Sequence, residues 1–283
     1  MNVLVVGGSC LLGKYLECTC PEGIDLTKTW YMNPLGGLQM DVCDPSQVGY
    51  VFGRVNPDVV IHMAAVGSVD WCEQNYEMAE AVIVKGTRNV LMAARDYQSK
   101  VVYTSTNAVF SGEDPPYGEG DERRPVNRYG ALRKRAEDLV TAYRHSWNIT
   151  RLFLLYGWPP EGARTNWGAE IAKRLRRNER VELVDDRWWQ PTYAGHAASA
   201  LWRLLDKDGI FHYAGADRVS LYGFGQRIAK IFGLDASLLE PIASDDLGVA
   251  PRPLDTTYCL DKARGIMDVP GLDEGLREMC LSI

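Results

Sequence analysis

The first sixteen residues constrain the fold more than any other part of the chain. Residues 2–16, NVLVVGGSCLLGKYL, are an aliphatic run, a glycine-containing turn and an apolar helical pattern. This is the order of a buried strand that passes through a phosphate-binding loop into a helix. The first turn of such a helix has unpaired N–H groups and a partial positive charge, which suit a pyrophosphate. The sequence therefore predicts an anion-binding turn at Gly7, Gly8 and Gly13, although a plain turn would show the same glycines.

Strands and helices alternate after this turn. We predict strands at residues 24–32, 37–41, 58–63, 100–105 and 148–156, and helices at residues 45–52, 71–97, 166–177, 195–205 and 222–232. We also expect Asp44 to cap the helix that follows it. Such alternation is typical of a parallel, doubly wound sheet, in which ligands bind beyond the carboxyl ends of the strands. The predicted fold class is therefore an α/β Rossmann-type doubly wound parallel sheet with a smaller mixed α/β lobe.

The order of the elements also suggests two domains. We predict a Rossmann domain of residues 1–156, to which residues 190–215 return because residues 210–214 rejoin the sheet. Residues 157–189 and 216–283 would then form the C-terminal substrate lobe. A chain of 283 residues is long enough for this arrangement.

Composition limits the possible partners. The net charge of −6 argues against a nucleic-acid-binding surface, and no apolar run reaches the roughly 20 residues of a membrane span. The seven cysteines include no CxxC pair, and the N-terminus does not resemble a signal peptide, so we expect a reduced, cytoplasmic protein. The four histidines are scattered along the chain and suggest no metal site.

The end of the second predicted strand bears on cofactor choice. Dinucleotide-binding folds often place an acid there, on the adenosine ribose, whereas this chain has Tyr31, Met32 and Asn33. We therefore expect weak discrimination between NADH and NADPH, with any preference toward NADPH. Lys14 and Lys28 could meet a 2′-phosphate, or both could be ordinary surface lysines. Asp41 is a candidate contact for adenine, and a loop carboxylate in water fits its spacing equally well.

A tyrosine with a basic residue one helical turn later follows a long polar loop. Residues 113–128, EDPPYGEGDERRPVNR, are long enough to be a wall over a site. Tyr129 opens the next helix, and Arg133 lies four positions on, along the same face. A neighbouring cation favours ionisation of a phenol, whose ordinary pKa is about 10. Taken alone, such a pair is most often a solvated helix face.

The glycine loop is followed along the chain by STNAVFSG, YGALRKRAE and QPTYAGHAA, which are residues 105–112, 129–137 and 190–198. In this order the segments resemble the extended short-chain dehydrogenase/reductases, and in particular their dTDP-4-dehydrorhamnose reductase (RmlD-like) branch. The likeness runs nearly from end to end. It implies reduction of a 4-keto-6-deoxy sugar joined to a nucleoside diphosphate, with NADPH or NADH as the cofactor.

The resemblance implies a Ser/Thr, Tyr and Lys set in the catalytic site. By position, Thr106 takes the hydroxyl role that orients the substrate oxygen, and Tyr129 takes the acid role. Arg133 stands where the family has lysine. Arginine keeps the positive charge but is bulkier, planar and always protonated. Lys134 is about 100° further round the helix and should point elsewhere.

The glycine turn and the resemblance together give two sets of candidate binding residues. The cofactor set is Gly7, Gly8, Ser9, Cys10, Leu11, Leu12, Gly13, Asn33, Asp41, Val42, Ala64, Ala65, Tyr129 and Arg133. The substrate set is Ser105, Thr106, Asn107, Asn166, Trp167, Trp189 and Arg252, with Trp188 as a further candidate. A tryptophan can stack on a base or sugar and an arginine can fork to a phosphate, while packing in the lobe core explains the tryptophans equally well.

Three departures from the family pattern support a different function. Cys10 replaces the middle glycine of GxxGxxG, Ile83 stands where many relatives have asparagine, and Arg133 replaces lysine. All three fall on one cofactor and proton path. They favour a non-catalytic regulatory subunit similar to the β subunit of methionine adenosyltransferase, whereas the intact Thr106 and Tyr129 favour the reductase. A sugar-nucleotide epimerase or dehydratase would use the same fold and tyrosine. A homodimer is compatible with each of these functions.

Overall fold

Strands and helices alternate along much of the chain, as the sequence predicts. A computed structural model describes residues 1–244 and 250–282. The strands in this part of the chain are β1 (Asn2–Val6), β2 (Asp25–Trp30), β3 (Leu38–Gln39), β4 (Val59–His62), β5 (Lys100–Thr106), β6 (Trp147–Leu152), β7 (Leu155–Tyr156), β8 (Val181–Val184), β9 (Thr192–Tyr193), β10 (Gly209–Tyr213) and β11 (Leu239–Ile242).

The central sheet is parallel and its strand order reverses once. In the described residues it has seven strands in the order β10-β6-β5-β4-β1-β2-β3. From β1 the chain winds outward through β2 and β3, and then returns to place β4 on the other side of β1. The predicted doubly wound fold is confirmed. The strand that we predicted at residues 210–214 corresponds to β10, at the edge of this sheet.

Helices cover both faces of the sheet. They are α1 (Leu11–Cys18), α2 (Pro45–Val55), α3 (Val69–Gln74), α4 (Tyr76–Glu80), α5 (Gly86–Asp96), α6 (Arg128–Thr141), α7 (Trp167–Arg176), α8 (Ala194–Arg203), α9 (Leu221–Phe232), α10 (Asp261–Arg264) and α11 (Leu272–Leu281). No helix of the described ranges is long and apolar enough to cross a membrane.

The two faces of β1 explain why both sides of the sheet are covered. Val3 and Val5 pack in one apolar core, and Leu4 and Val6 pack in another on the opposite face. Successive side chains of a strand point to opposite faces, so an unbroken aliphatic strand needs a helical layer on each side. The first core includes residues of α8 and α9, and the second includes residues of α2, α5 and α6.

The turn between β1 and α1 depends on its glycines. Gly7 has a φ of +82°, and a Cβ there would lie 2.7 Å from the Ala64 Cα atom. A Cβ at Gly13 would overlap the carbonyl oxygen of Gly8. Glycine alone allows both the positive φ and this close contact between helix and turn. The N-terminus of α1 is therefore held directly over the carboxyl end of β1.

The predicted helix at residues 71–97 is wrong as a single regular helix. The chain breaks at Asn75, between α3 and α4, and then forms a π-helical turn at Ala81–Lys85 before α5. The Asn75 side chain donates to the carbonyl oxygen of Trp71 at 3.0 Å and ends the first helix locally. A π-helical turn, with its i→i+5 hydrogen bonds, changes the apolar spacing over only the five residues Ala81–Lys85, which is too short a stretch to recognise in the sequence.

The predicted strand at residues 148–156 is also wrong as one strand. β6 ends at Leu152 in the central sheet, and β7 pairs instead with β9 in a separate two-stranded ladder. Phe153, between them, is buried in a third apolar cluster with Phe110 and Tyr258. The chain bends here because the Thr192 N–H donates to the Leu154 carbonyl at 3.0 Å. β2 and β3 are shorter than predicted, while the Asp44 cap of α2 is confirmed by its bond from the Ser46 N–H at 2.8 Å.

The C-terminal part of the chain adds a small ladder beside the sheet. β8 and β11 pair in parallel, and α9 packs against both strands. α11 packs against α9 and β9. Residues 245–249 and 283, which we placed in the substrate lobe, lie outside the described residues.

Two glycine substitutions test the packing of α1. Gly13→Ala should lower the free energy of unfolding by about 1–3 kcal/mol, because the new methyl group overlaps backbone that cannot move without opening the turn. Gly49→Ala is the matched control. Gly49 is exposed in the middle of α2 with open space around its Cα, so alanine should raise stability by roughly 0.5–1 kcal/mol. Urea denaturation measures both, and equal stabilities for the two variants would contradict the close contact.

Candidate active site

One large cavity lies at the carboxyl edge of the sheet. Its volume is about 760 Å³, and it is next to the place where the strand order reverses between β1 and β4. Open α/β sheets bind ligands at such a reversal. The predicted site residues that line it are Cys10, Leu11, Leu12, Ala65, Ser105, Thr106, Asn107, Tyr129, Arg133, Asn166, Trp167, Trp189 and Arg252, and Trp188 also lines it.

The other predicted cofactor residues are not on the lining, and most have a backbone or packing role. Gly7, Gly8 and Ser9 belong to the turn, Gly13 lies in the first turn of α1, and Ala64 lies against Gly7. Val42 is buried, and its carbonyl accepts from Asn89 at 2.9 Å. Asp41 accepts from the Cys43 N–H at 2.8 Å, and Asn33 donates to the Gly162 carbonyl at 3.2 Å.

Thr29 holds the glycine turn, a role that the sequence did not indicate. Its hydroxyl accepts from the Gly7 N–H at 3.0 Å and its carbonyl accepts from the Gly8 N–H at 2.8 Å. The N–H groups that follow are those of Ser9, of Cys10 and of the first turn of α1. Cys10 makes no capping side-chain bond there, and this turn contains no acidic residue. Burial raises the pKa of the Cys10 thiol, so the side chain is uncharged near neutrality and does not repel an anion.

The two lysines near this turn already have partners. Lys14 Nζ donates to the Trp158 carbonyl at 3.0 Å, and Lys28 Nζ pairs with Glu17 at 2.5 Å. A 2′-phosphate would have to compete with these contacts.

A close approach between α6 and the end of β5 brings Tyr129 to the cavity. The Asn127 side chain caps α6 by accepting from the Gly130 N–H at 2.8 Å. A Cβ at Gly130 would overlap the carbonyl oxygen of Ala108, which is two residues after Thr106. Glycine at position 130 therefore lets the first turn of α6 lie against the segment that follows β5. Tyr129 and Thr106 share one cavity for this reason.

Arg133 is buried under the cavity floor. Its Nη2 donates to the Thr104 carbonyl, and its guanidinium carbon lies 4.7 Å from the centre of the Tyr103 ring. Its Nε has no hydrogen-bond partner among the described residues. Lys134 points away, as predicted, and donates to the Arg123 carbonyl at 3.0 Å. The Thr104 carbonyl of β5 and the Tyr103 ring thus hold the guanidinium of Arg133 in place.

A histidine next to this arginine is neutral. Burial, followed by the charge of Arg133, lowers the pKa of His62 to about 3. Thr87 donates its hydroxyl hydrogen to the Ile83 carbonyl at 2.6 Å, so His62 Nε2 must be the donor in its 3.0 Å contact with Thr87. The π-helical turn containing Ile83 therefore receives a polar contact through its backbone, while the Ile83 side chain is fully buried.

Glu137 fastens the catalytic helix to the sheet. It lies one turn after Arg133 on α6 and is fully buried. Its carboxylate accepts from Arg151 Nε at 3.0 Å and Nη2 at 2.8 Å, from the Ser105 hydroxyl, and from Arg123 at 3.0 Å. Burial opposes ionisation of Glu137, but the bonds from Arg151 and Ser105 and the nearby Arg123 outweigh it and lower its pKa. The sequence missed this network because its members lie on β5, β6, α6 and a loop.

The same arginine holds the polar loop. Arg151 Nη1 contacts His212 Nε2 at 3.0 Å and donates to the Glu119 carbonyl at 3.3 Å, and His212 Nδ1 donates to the Tyr117 carbonyl at 3.1 Å. Burial, with the charge of Arg151, lowers the pKa of His212 to about 3. Among residues 113–128, Asn127 alone lines the cavity in the described part of the chain. The predicted wall is therefore wrong, because these contacts draw the loop onto the sheet.

Charged pairs and aromatic side chains form the opposite wall. Arg252 pairs with Asp70 at 2.7 Å, so its guanidinium is partly engaged already. Trp188 has the Arg218 guanidinium carbon 3.8 Å from its ring centre. Trp167 is 46% exposed and offers a free face to a ligand. Arg164 and Glu170 also line the cavity, and neither falls in a recognisable sequence motif.

Three ligand-type side chains meet away from the cavity. His196, Glu274 and Glu278 have ligand atoms within 4.8 Å of one another, although sequence spacing suggested no metal site. His196 Nε2 lies 2.8 Å from Glu278 Oε1, which joins α8 to α11. This contact gives His196 and Glu278 a structural role without an ion.

The family model described as the RmlD substrate binding domain matches residues 1–279. The chain belongs to this family. It is 32% identical over 273 residues to the "Probable low-salt glycan biosynthesis reductase Agl14" of Haloferax volcanii, covering 92% of this chain and 90% of that protein. It is 27% identical over 268 residues to the "Methionine adenosyltransferase 2 subunit beta" of Xenopus tropicalis, covering 89% and 78%.

A solved structure shares the whole architecture. The dTDP-4-dehydrorhamnose reductase of Bacillus anthracis, determined in complex with NADP, aligns with a TM-score of 0.91 at 26% identity and covers 100% of both chains. The extended short-chain dehydrogenase/reductase resemblance and its RmlD-like branch are thus confirmed.

Substitution of Glu137 tests the buried network. Glu137→Gln should lower the free energy of unfolding at pH 7 by about 3 kcal/mol, because Arg151 would remain buried without a counter-charge. The folded-state pKa of Glu137 lies below its unfolded value of about 4.3. Its contribution is therefore present above that pH and is lost as the pH falls through the folded pKa.

Urea denaturation at pH 7 and at lower pH measures both effects. The stability difference between parent and Glu137→Gln should be largest at pH 7 and should shrink in acid. Glu122→Gln, at an exposed carboxylate 2.6 Å from Arg124, is the control and should change nothing. A difference that grows as the pH falls would contradict the ionised network.

Proposed function

We propose that the protein is an NAD(P)H-dependent reductase of a nucleoside-diphosphate 4-keto-6-deoxy sugar. One observation carries the proposal: Thr106, Tyr129 and Arg133 line the same cavity as the first residues of α1. A cavity of about 760 Å³ has room for reacting groups from two ligands. The NADP complex of the Bacillus anthracis reductase and the name of the Haloferax volcanii relative support the same reaction class.

The glycine turn fits a dinucleotide pyrophosphate. The N-terminus of α1 is uncapped by Cys10, contains no acid in its first turn and is held close to β1 by Gly13. Its N–H groups and helix dipole favour an anion at this position. The Cys10 thiol adds bulk but no charge, so the first departure from the family pattern leaves the electrostatics of the turn intact.

Tyr129 is the proposed proton donor. A reduced nicotinamide cofactor held at the glycine turn would supply the hydride for the carbonyl carbon of the keto sugar. Tyr129 Oη then gives its proton to the carbonyl oxygen, which becomes the product hydroxyl, and water returns a proton to Tyr129. Thr106 has its Oγ1 fixed by the Ala108 N–H at 3.2 Å, and it orients the same carbonyl oxygen.

Arg133 acts through its charge. A permanent cation beneath the cavity attracts the negative charge that Tyr129 Oη carries after it has given up its proton. Arginine does not lose its proton, so Arg133 stabilises charge and does not relay protons. Its bond to the Thr104 carbonyl also ties this charge to the strand that ends in Thr106.

The proposed substrate lobe consists of residues 157–189 and 216–283, with the Rossmann domain in residues 1–156 and 190–215. Trp167 is proposed to stack on the base or sugar because its exposed ring lines the cavity. Glu170 offers an acceptor for sugar hydroxyls. Asn107 follows the end of β5 and is proposed to contact the substrate. Its Nδ2 donates to Thr256 Oγ1 at 2.7 Å, which holds the side chain in place. A cytoplasmic location and a homodimer stay sequence-based predictions.

A regulatory subunit is the second candidate. The β subunit of methionine adenosyltransferase is a relative of this chain, and Arg133 is locked between the Thr104 carbonyl and the Tyr103 ring. Such a protein would bind the nucleotide and present a surface to a partner without turnover. Turnover therefore separates the two candidates, and a requirement for reduced cofactor separates the reductase from an epimerase.

Tyr129→Phe tests the reductase directly. The substitution should lower kcat by at least about 100-fold, because it removes the hydroxyl group that donates the proton and leaves the ring in place. The dissociation constant for NADPH should stay within about twofold of the parent value. Turnover is measured as oxidation of NADPH in the presence of a panel of 4-keto-6-deoxy sugar nucleotides. A parent protein that binds NADPH but turns over none of them would support the regulatory subunit.

Arg133 substitutions test the charge beneath Tyr129. Arg133→Met keeps an unbranched but shorter side chain and removes the charge, so kcat should fall by about tenfold or more. Arg133→Lys should turn over at least as fast as the parent, since a compact ammonium is free of the planar contact with Tyr103. Steady-state kinetics on both variants measures this. A lysine variant as slow as the methionine variant would show that the charge is not what Arg133 contributes.

A further inference from the structure

We propose that Arg164 binds a pyrophosphate. Arg164 belongs to residues 158–165, here named the strap, which cross the mouth of the cofactor groove, the part of the cavity beside Cys10 and Gly67. This inference rests on the proposed function, which gives the cavity a dinucleotide and a nucleoside-diphosphate sugar. It concerns a residue that neither the motifs nor the resemblance selected.

The strap is a closed loop whose ends are tied together. Asn166 Nδ2 donates to the Gly157 carbonyl at 2.8 Å, and Asn166 Oδ1 accepts from the Gly157 N–H at 3.3 Å. The same oxygen accepts from the Ala169 N–H at 3.2 Å and so caps α7. One side chain therefore fixes both the width of the loop and the start of the helix behind it.

Two hydrogen bonds hold the strap over the carboxyl ends of β1 and β2. Lys14 of α1 donates to the Trp158 carbonyl at 3.0 Å, and Asn33, which follows β2, donates to the Gly162 carbonyl at 3.2 Å. Pro159 and Pro160 stiffen the segment between these contacts. The strap thus crosses the strand ends where the glycine turn presents its N–H groups.

Arg164 extends from the far end of the strap. A Cβ at Gly67, which follows β4, would lie 3.6 Å from Arg164 Nη1. β4 is the neighbour of β1 in the sheet, and Gly67 and Cys10 line the same cavity. The guanidinium of Arg164 therefore lies on the opposite side of β1 from Asn33 and reaches the same groove.

The charge of Arg164 is unsatisfied in this position. Within residues 1–244 and 250–282 it makes no hydrogen bond or ion pair. The other two arginines of the lining are engaged, Arg252 with Asp70 and Arg133 with the Thr104 carbonyl. In a protein of net charge −6, an exposed and unpaired guanidinium on the lining is a favourable place for an anion.

The chemistry of the side chain selects the anion. A guanidinium presents parallel N–H groups that match two phosphate oxygens, and the N-terminus of α1 offers backbone N–H groups to the same kind of ligand. Both ligands of the proposed reaction contain a pyrophosphate. The shared chemistry is therefore a pyrophosphate, from either the dinucleotide or the nucleoside-diphosphate sugar.

Equilibrium binding to the full-length protein tests this without turnover. NADPH and dTDP are titrated separately into the parent, Arg164→Gln and Arg164→Lys. Loss of a charged hydrogen-bond pair should weaken binding of one or both probes by about tenfold to a hundredfold in Arg164→Gln, and lysine should restore part of it. Weakening confined to NADPH assigns Arg164 to the dinucleotide, and weakening confined to dTDP assigns it to the sugar nucleotide.

Arg177→Gln is the matched control. Arg177 is exposed at the end of α7 and does not line the cavity, so its substitution makes the same change of net charge away from the groove. Unchanged affinity for both probes in Arg164→Gln, or an equal loss in Arg177→Gln, would overturn the proposal. Absence of turnover in the parent would instead count against the reductase and would leave these affinities interpretable.

Discussion

A buried ion pair organises the catalytic side of this protein. The carboxylate of Glu137 accepts two bonds from Arg151 and one from Ser105, and all three residues are buried. Burying either charge without its partner would lower the stability of the fold. Glu137 and Arg151 must therefore lie next to each other. Since Glu137, Arg133 and Tyr129 follow at four-residue spacing on α6, fixing one fixes the face that the helix turns to the cavity.

The same pair links this helix to parts of the chain that lie far away in sequence. Arg151 sits on β6 beside Ser105 of β5 and beside His212 of β10, and it also contacts the loop that precedes α6. Three neighbouring strands, one loop and one helix thus share a single network of charged and polar groups. Burial rigidifies such a network when all its members are paired. Glu137, at the centre of this network, thereby helps to hold Thr106 and Tyr129 in one cavity.

The departures from the family pattern have different physical consequences. Cys10 is an uncharged thiol at an otherwise open helix N-terminus, and Ile83 is absorbed by the core while its carbonyl receives a bond from Thr87. Arg133 is different, because its planar group is held by the Thr104 carbonyl and the Tyr103 ring. The first two changes add no charge to the site. The third keeps the charge and removes the mobility that lysine would have.

The sequence by itself determined the features that depend on near neighbours. The strand, turn and helix of residues 2–16, the Asp44 cap and the shared face of Tyr129 and Arg133 all follow from spacing and residue type, and so does the parallel alternation that the sheet confirms. Because ligands of parallel sheets bind beyond the carboxyl ends of the strands, the sequence also indicated that edge as the binding site, and the family resemblance implied that Thr106 and Tyr129 act together there. These inferences hold since they need only local geometry and the direction of the chain.

The tertiary structure decided what depends on contacts between distant segments. Thr29 holding Gly7, Gly130 lying against Ala108, Glu137 pairing with Arg151 and Arg164 reaching Gly67 have no local signal, because each needs two elements to be packed first. The π-helical turn and the bend after β6 are also set by packing, since each spans too few residues to leave a recognisable pattern in the sequence. The sequence determined which chemical groups come to the carboxyl edge, and the packing decided which of them are already paired and which remain free for a ligand.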